Sequence, residues 1–274
     1  EYDDVVPAYH YDDKPYESKV YSGFNEPNKD TELVYGPSIK PWPSIEELTP
    51  NVLLKVAAYI DDSVTTTDEL IPSGETSSFR SDPYALSEFA LSRKVPEYVG
   101  RAKVVRDWEK SRQEGESAAD LVTAYEEVKQ ALGLTESVED MAKSTAVSSM
   151  VYANRPGDGS AREQAASCQR VLGGGANIAI EYATKRYRSN VINWGMLPFL
   201  TSEEDSKTMA VGDYVYVPNV RDQLFSDSDD YKAYVISGGV KKAEITLHLG
   251  HLSDEEKDII AAGCLINYYA NCKA

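Results

Sequence analysis

GDGSAREQAASCQRVLGGG, residues 157–175, is the stretch that decides how this chain is read. Two glycines precede Ser160, and three more close the run. The pattern predicts a helix from residue 160 to about 172, stopped by glycines 173–175 through their access to positive φ. A helix start carries unpaired N–H groups and the positive end of the dipole, so a carboxylate or an alkoxide is stabilised there. Arg162 adds a guanidinium able to grip a carboxylate with two hydrogen bonds. The plain alternative is that Ser160 and Glu163 form a capping box, a common way to start a helix. Two other readings fail. A hydrolase nucleophile elbow needs a second glycine after the serine and a suitably placed histidine. A dinucleotide fingerprint opens a helix, whereas GGGAN ends one.

Working outward, AVSSMVYA (146–153) and NVLLKVAAYI (51–60) are apolar runs suited to buried strands. DDSVTTTDEL reads as a polar loop. PYALSEFALSRK (83–94) suits a short helix with Pro83 at its start. Two charged helical patterns lie between about 97 and 142. The second places Leu121, Tyr125, Val128 and Leu132 on one face, with Ser117 and Asp120 as a capping-box-like start. ANIAIEYATKRYRSN is ambiguous between strand and helix. GDYVYVPNV reads as a strand, and YKAYVIS-GG-VKKAEITLHL as a hairpin. LSDEEKDIIAAGCLINYY is a closing helix with a Ser253/Glu256 capping box. Residues 1–50 are rich in Tyr, Asp, Pro and Lys. Prolines 37, 41 and 43 keep that stretch extended, as an arm that needs a surface to pack on, with a mobile tip over residues 1–30.

The chain carries 28 basic and 45 acidic residues, a formal charge of −17. That field repels phosphate backbones and anionic lipid, so neither nucleic acid nor membrane is expected as a main partner. An anionic substrate would need arginines of its own. No apolar run reaches the roughly 18 residues of a membrane span, and no signal peptide is evident. The chain opens at Glu1 without Met, as a piece of something longer would, although processing would look the same. Cys168, Cys264 and Cys272 form no disulfide framework and fit a reducing cytoplasm. His248 and His251 lack a third metal ligand, so no metal site is expected.

A second polar stretch, TTTDELIPSGETSSFR (65–80), is the kind of loop that carries binding groups. Read alone, Asp68 is a turn or cap residue and Arg80 a surface cation.

GDGSAREQAA resembles the GxGSSREHAA signature of the aconitase and isopropylmalate isomerase superfamily. The likeness continues through Leu172-Gly173-Gly174 into NWGMLPF (193–199). YGPSIKPWP (35–43) resembles the linker of single-chain aconitases, and NVLLKVAAYIDDSVTTTDELIPSG (51–74) their VLLKVGDxISTDHIxPAG. Phe79-Arg80 falls where that family has a substrate-binding arginine, and the closing helix is also similar. These blocks stand in family order. The resemblance implies an α/β swivelling domain, with a mixed, mainly parallel β core flanked by helices. It would span residues 51–274, with residues 1–50 as a Pro-rich N-terminal arm and about 103–142 as a helical insertion. It implies Ser160 as the base that takes a proton from carbon, Arg162 and Arg80 as carboxylate-binding groups, and Asp68 in the proton-handling network. It also implies a [4Fe-4S] cluster held by cysteines of the larger, N-terminal part, so this chain would hold neither cofactor nor metal and would be inactive alone. Three positions depart from the pattern: Ala161, Gln164 and Glu69 replace Ser, His and His.

The function expected is that of an aconitate hydratase-like lyase acting on citrate or isocitrate in the tricarboxylic acid cycle. The alternatives are the small subunit of an isopropylmalate-type or homoaconitase-type isomerase, and a non-catalytic module that binds a carboxylate or a partner protein.

Overall fold

The computed structural model describes residues 4, 10–17, 26, 28–32, 34–116 and 118–272. The chain divides into Glu1–Pro37 and Ser38–Ala274. In the first unit, α1 (Lys14–Glu17) is a single turn in which the Asp13 carbonyl accepts from the Tyr16 and Glu17 N–H groups. The expected mobile tip falls largely outside the described residues.

The second unit begins with an extended segment that docks on its own domain. The Lys40 N–H donates to the Ser81 carbonyl at 2.9 Å, and the Trp42 ring lies 4.5 Å from that of Trp194. β1 (Asn51–Ile60) then follows, buried on both faces. The polar stretch after it is not all loop. It holds β2 (Thr65–Thr66) and the single turn α2 (Thr67–Leu70), which a Thr66/Glu69 capping box starts. A 3-10 turn (Ser77–Phe79) leads to α3 (Pro83–Ser87), capped by Asp82 and shorter than expected. It stops early because buried Leu91, at φ 56, turns the chain back toward Leu70.

The charged stretch forms three helices where two are expected: α4 (Tyr98–Gln113), α5 (Ala119–Leu132) and α6 (Val138–Ser144). α5 buries Leu121, Tyr125 and Val128 and starts from Ala118. Ser117, half of the expected capping box, lies outside the described residues. Next come β3 (Thr145–Ala153), β4 (Pro156–Asp158), α7 (Arg162–Val171), β5 (Gly174–Ala179), α8 (Lys185–Asn193), β6 (Leu197–Leu200) and α9 (Glu203–Ser206). The chain closes with β7 (Tyr214–Val217), α10 (Val220–Leu224), β8 (Tyr231–Ser237), β9 (Val240–Leu247), α11 (Asp254–Ala261) and α12 (Leu265–Cys272). Only Gly173 of the three glycines after α7 has positive φ, while Gly174 and Gly175 open β5. The closing helix is two helices, broken at Gly263, and the Ser253/Glu256 box forms. Among the described residues no helix is long and apolar enough to cross a membrane.

The sheet runs β6-β5-β3-β1-β7-β8-β9. β6, β5, β3 and β1 pair in parallel, and β1, β7, β8 and β9 antiparallel. The core is mixed, as expected, but evenly divided instead of mainly parallel. Helical crossovers keep strand direction on one side of β1, while the β8–β9 hairpin reverses it on the other. Alternation along β1 sends Val52, Leu54 and Val56 into a cluster with Met150, Ile178 and Ile259. Leu53 faces the opposite way, toward Val105, Tyr125 and Val147 under α4 and α5. Each such aliphatic side chain contributes about 1.5–3 kcal/mol on burial, so the parallel half is a stiff base for the loops at its ends.

Candidate active site

A second, two-stranded sheet brings the two stretches of interest together. β2 pairs in parallel with β4, Thr65 with Pro156 and Thr66 with Asp158. Both follow the carboxyl ends of the neighbouring strands β1 and β3, where open α/β sheets place their ligands. The glycines between β4 and α7 are fixed by contact. Gly157, at φ 98, sits on the Tyr187 ring, and Gly159, at φ 127, on Thr67 Oγ1; a Cβ on either would overlap its neighbour. Ser160 is thus carried beside the start of α2, the turn that bears Asp68. Tyr187 is a fixed support, since its hydroxyl accepts from Gln169 Nε2 at 3.0 Å and Asn177 Nδ2 at 2.9 Å. Burial pushes its phenol up to about 12, against those two bonds, so the ring stays neutral.

Ser160 is exposed and has no hydrogen-bond partner among the described residues. It is not a cap. Ala161 holds the N-cap position of α7 with no side-chain cap bond, one residue later than the capping-box alternative requires. Glu163 cannot reach back either, because Oε1 accepts from Trp194 Nε1 at 3.1 Å. The first-turn N–H groups of α7 therefore keep no side-chain acceptor, the condition under which a helix start binds an anion. Arg162 is half-buried, and its Nε is buried without an acceptor.

Arg80 is exposed after the 3-10 turn and has no ion-pair partner among the described residues. It lies on the segment joining α2 to α3, and both of those pack on α7. Ser160, Arg162 and Asp68 thus gather at one end of the parallel strands, while no direct contact ties Arg80 to them. Asp68 has a partner that the sequence did not announce: Arg93, which pairs with Asp68 through Nη1 and Glu75 through Nη2. Its neighbour Lys94 pairs with Asp62 at 2.8 Å and Glu69 at 3.3 Å. No spacing rule links 93–94 to 68–69; only the Leu91 turn does. The Thr66/Glu69 box, in contrast, carries a local signal, T-x-x-E, which the loop reading passed over.

Glu69 has a structural task. Burial pushes its pKa up, but the Thr66 N–H and hydroxyl bonds and Lys94 outweigh that and hold it below the usual value. A depressed carboxylate stabilises the fold above its unfolded pKa and loses that contribution as pH falls through the folded one. Glu69→Gln is therefore expected to lower stability more at pH 7 than near pH 3. Urea midpoints at the two pH values check this; an equal loss at both would show that the charge is irrelevant.

Cys168 and Cys264 are buried and Cys272 is exposed. His248 Nδ1 lies 3.3 Å from Asp230, and among the described residues no three His, Cys, Asp or Glu side chains converge as a metal site.

Residues 106–204 match the family model of the aconitase C-terminal domain, a span that includes Ser160 and Arg162 but not Asp68 or Arg80. No curated protein matches the sequence significantly. Among solved structures, the chain is similar to the crystal structure of 3-isopropylmalate dehydratase from Methanocaldococcus jannaschii. Identity is 20%, with 82% of this chain and 96% of that one covered, at a TM-score of 0.46.

Proposed function

We propose that this chain, which carries an aconitase-family C-terminal domain, supplies the serine and arginines of a hydro-lyase that dehydrates and rehydrates a hydroxy-tricarboxylate such as citrate or isocitrate. One observation carries the reading. Ser160 stands exposed and unbonded next to Arg162, whose Nε is buried with no acceptor. An unmade bond of that kind costs about 1–3 kcal/mol, and a shift of the half-buried guanidinium toward a substrate carboxylate would supply the acceptor. Ser160 then takes a proton from the substrate carbon. Its oxygen is kept reactive by the open N–H groups of α7 and the Arg162 charge. Arg80 binds a second carboxylate, and Asp68, oriented by Arg93, handles the proton beside Ser160.

The family uses a [4Fe-4S] cluster, which acts as a Lewis acid on the substrate. The cysteines described here do not fit one, since two are buried and no set of ligands converges. In this reading the cluster belongs to N-terminal, cluster-binding domains. Residues 1–50 are the arm leading to them, 51–274 the swivelling domain, and about 103–142 an insertion within it.

The chain alone is expected to hydrate no aconitate, and addition of the cluster-bearing part should restore turnover. Parallel assays on cis-aconitate and on the isopropylmalate pair separate the substrates. Turnover by the iron-free chain would overturn the partial-site reading. Turnover of isopropylmalate alone would make this a small subunit of that isomerase, and binding without turnover of either a carboxylate-binding module.

A further inference from the structure

Two arginines can grip carboxylates of one substrate only if their separation is fixed. Arg80 and Arg162 lie on different segments, one after the 3-10 turn and one at the start of α7. The extended segment that leads into β1 touches the neighbours of both. The Lys40 N–H donates at 2.9 Å to the carbonyl of Ser81, the residue after Arg80. Two positions on, the Trp42 ring lies 4.5 Å from the Trp194 ring. Trp194 is buried, and its Nε1 donates at 3.1 Å to Glu163, the residue after Arg162.

This piece of chain is stiff enough to carry a distance. Pro41 and Pro43 flank Trp42 and fix the backbone there. The contacts at 40 and 42 therefore stand about 7 Å apart along an extended chain. The far end is anchored as well. Asn267 Nδ2 donates to the Ile45 carbonyl at 2.7 Å, and Gly263 lies between the Glu46 carbonyl and Gly195, the neighbour of Trp194. Ser160 is placed by other means, since Gly157 rests on Tyr187 and Gly159 on Thr67. The segment thus acts on the arginines and not on the serine. A mere cover for Trp194 would not require the Lys40 bond to the other segment.

We propose that Trp42 is a positioning residue: with the Lys40 N–H, it fixes the Arg80 segment against the first turn of α7 and so sets the span between the two arginines. The role of the arginines rests on the hydratase reading; the coupling of the two segments does not.

Hydrogen exchange of the full chain reads the coupling without substrate. The Phe79, Asp82 and Ala165 N–H groups are each bonded within their own turn. Trp42→Ala should speed exchange at all three severalfold and leave α5 unchanged, and Trp42→Phe should restore the parental pattern. Kinetics of the assembled enzyme read the consequence, with cis-aconitate, or with isopropylmalate if that is turned over instead. Trp42→Ala should raise KM about tenfold, the equivalent of one charge-assisted hydrogen bond, with kcat nearly unchanged. Trp42→Phe should keep KM near the parental value. Arg80→Gln should also raise KM, and adding Trp42→Ala to it should change little more, because both act on one contact. If Trp42→Ala fails to fold, Lys40→Pro removes the other contact from an already proline-rich segment and should give the same KM and the same exchange at Phe79 and Asp82. The proposal is overturned if exchange rises in one segment only or in α5 as well, if KM stays parental in Trp42→Ala while Arg80→Gln raises it, or if the two effects multiply. If neither Arg80→Gln nor Arg162→Gln raises KM, the hydratase reading itself falls, and the positioning role falls with it.

Discussion

Ser160→Ala in the assembled enzyme is expected to lower kcat by roughly two to four powers of ten, the range of general-base catalysis. The melting temperature should stay within about 2 °C of the parent, as for surface substitutions that remove no bond. The two halves of this expectation come from separate observations. Turnover falls because the oxygen beside Arg162 is gone. Stability holds because Ser160 makes no hydrogen bond among the described residues and α7 is started by Ala161. A capping serine would behave in the opposite way, losing about 1 kcal/mol of stability with near-normal turnover. Ser160→Asp sharpens the contrast. Position 160 lies before the N-cap, so Asp gains no capping bond; it places a carboxylate next to Arg162 and competes with substrate. Turnover should not recover, and the melting temperature should show no gain over the alanine variant. An alanine variant within a few-fold of parental kcat would remove Ser160 from the chemistry, whatever its stability.

Gly195→Ala is expected to cost about 3 kcal/mol of stability. Two effects add at this position. Gly195 has φ 65, which costs an L-residue about 1–2 kcal/mol. A Cβ there would also overlap the carbonyl oxygen of Gly263, and overpacking of this kind costs about 1–3 kcal/mol. The obstacle is backbone, and it has little room to yield, because Gly263 itself lies against the Glu46 carbonyl. For a domain of this size the shift in melting temperature is roughly 6–12 °C. Gly212→Ala is the matched control, with φ 95 but nothing within 4 Å of its Cβ, so it keeps only the backbone cost. Thermal melts of the two variants separate the effects. If Gly195→Ala melts no lower than Gly212→Ala, the close approach of the loop after α8 to the break between α11 and α12 is not what requires glycine at 195.

The central strands were legible because their signal is local. NVLLKVAAYI and AVSSMVYA are short, apolar and bounded by polar residues, and they form β1 and β3. The hairpin with its Gly-Gly turn and the Ser253 cap follow from chemistry within a few residues, as does the helix of the 157–175 stretch. Smaller elements escaped for a different reason. β2 and β4 have only a few residues each and exist because they pair with one another across about ninety residues of sequence. Nothing in either segment alone favours a strand. The alternative Ser160/Glu163 box fails for a related reason: the Trp194 indole, delivered by the end of α8, takes the Glu163 carboxylate.

The sequence by itself determined the core strands, the helix that follows Ser160, the acidic field and the residues to watch at 68, 80, 160 and 162. The strands, the helix and residues 160 and 162 depend on periodicity or chemistry confined to one segment, the acidic field on composition, and residues 68 and 80 on what the family resemblance implies. Only the tertiary structure decided that β2 and β4 bring the Asp68 and Ser160 loops together, that Ser160 is free instead of capping, and that Arg93 holds Asp68. Those are relations between segments far apart in the chain, fixed by packing and by which hydrogen-bond partner arrives first at a shared group.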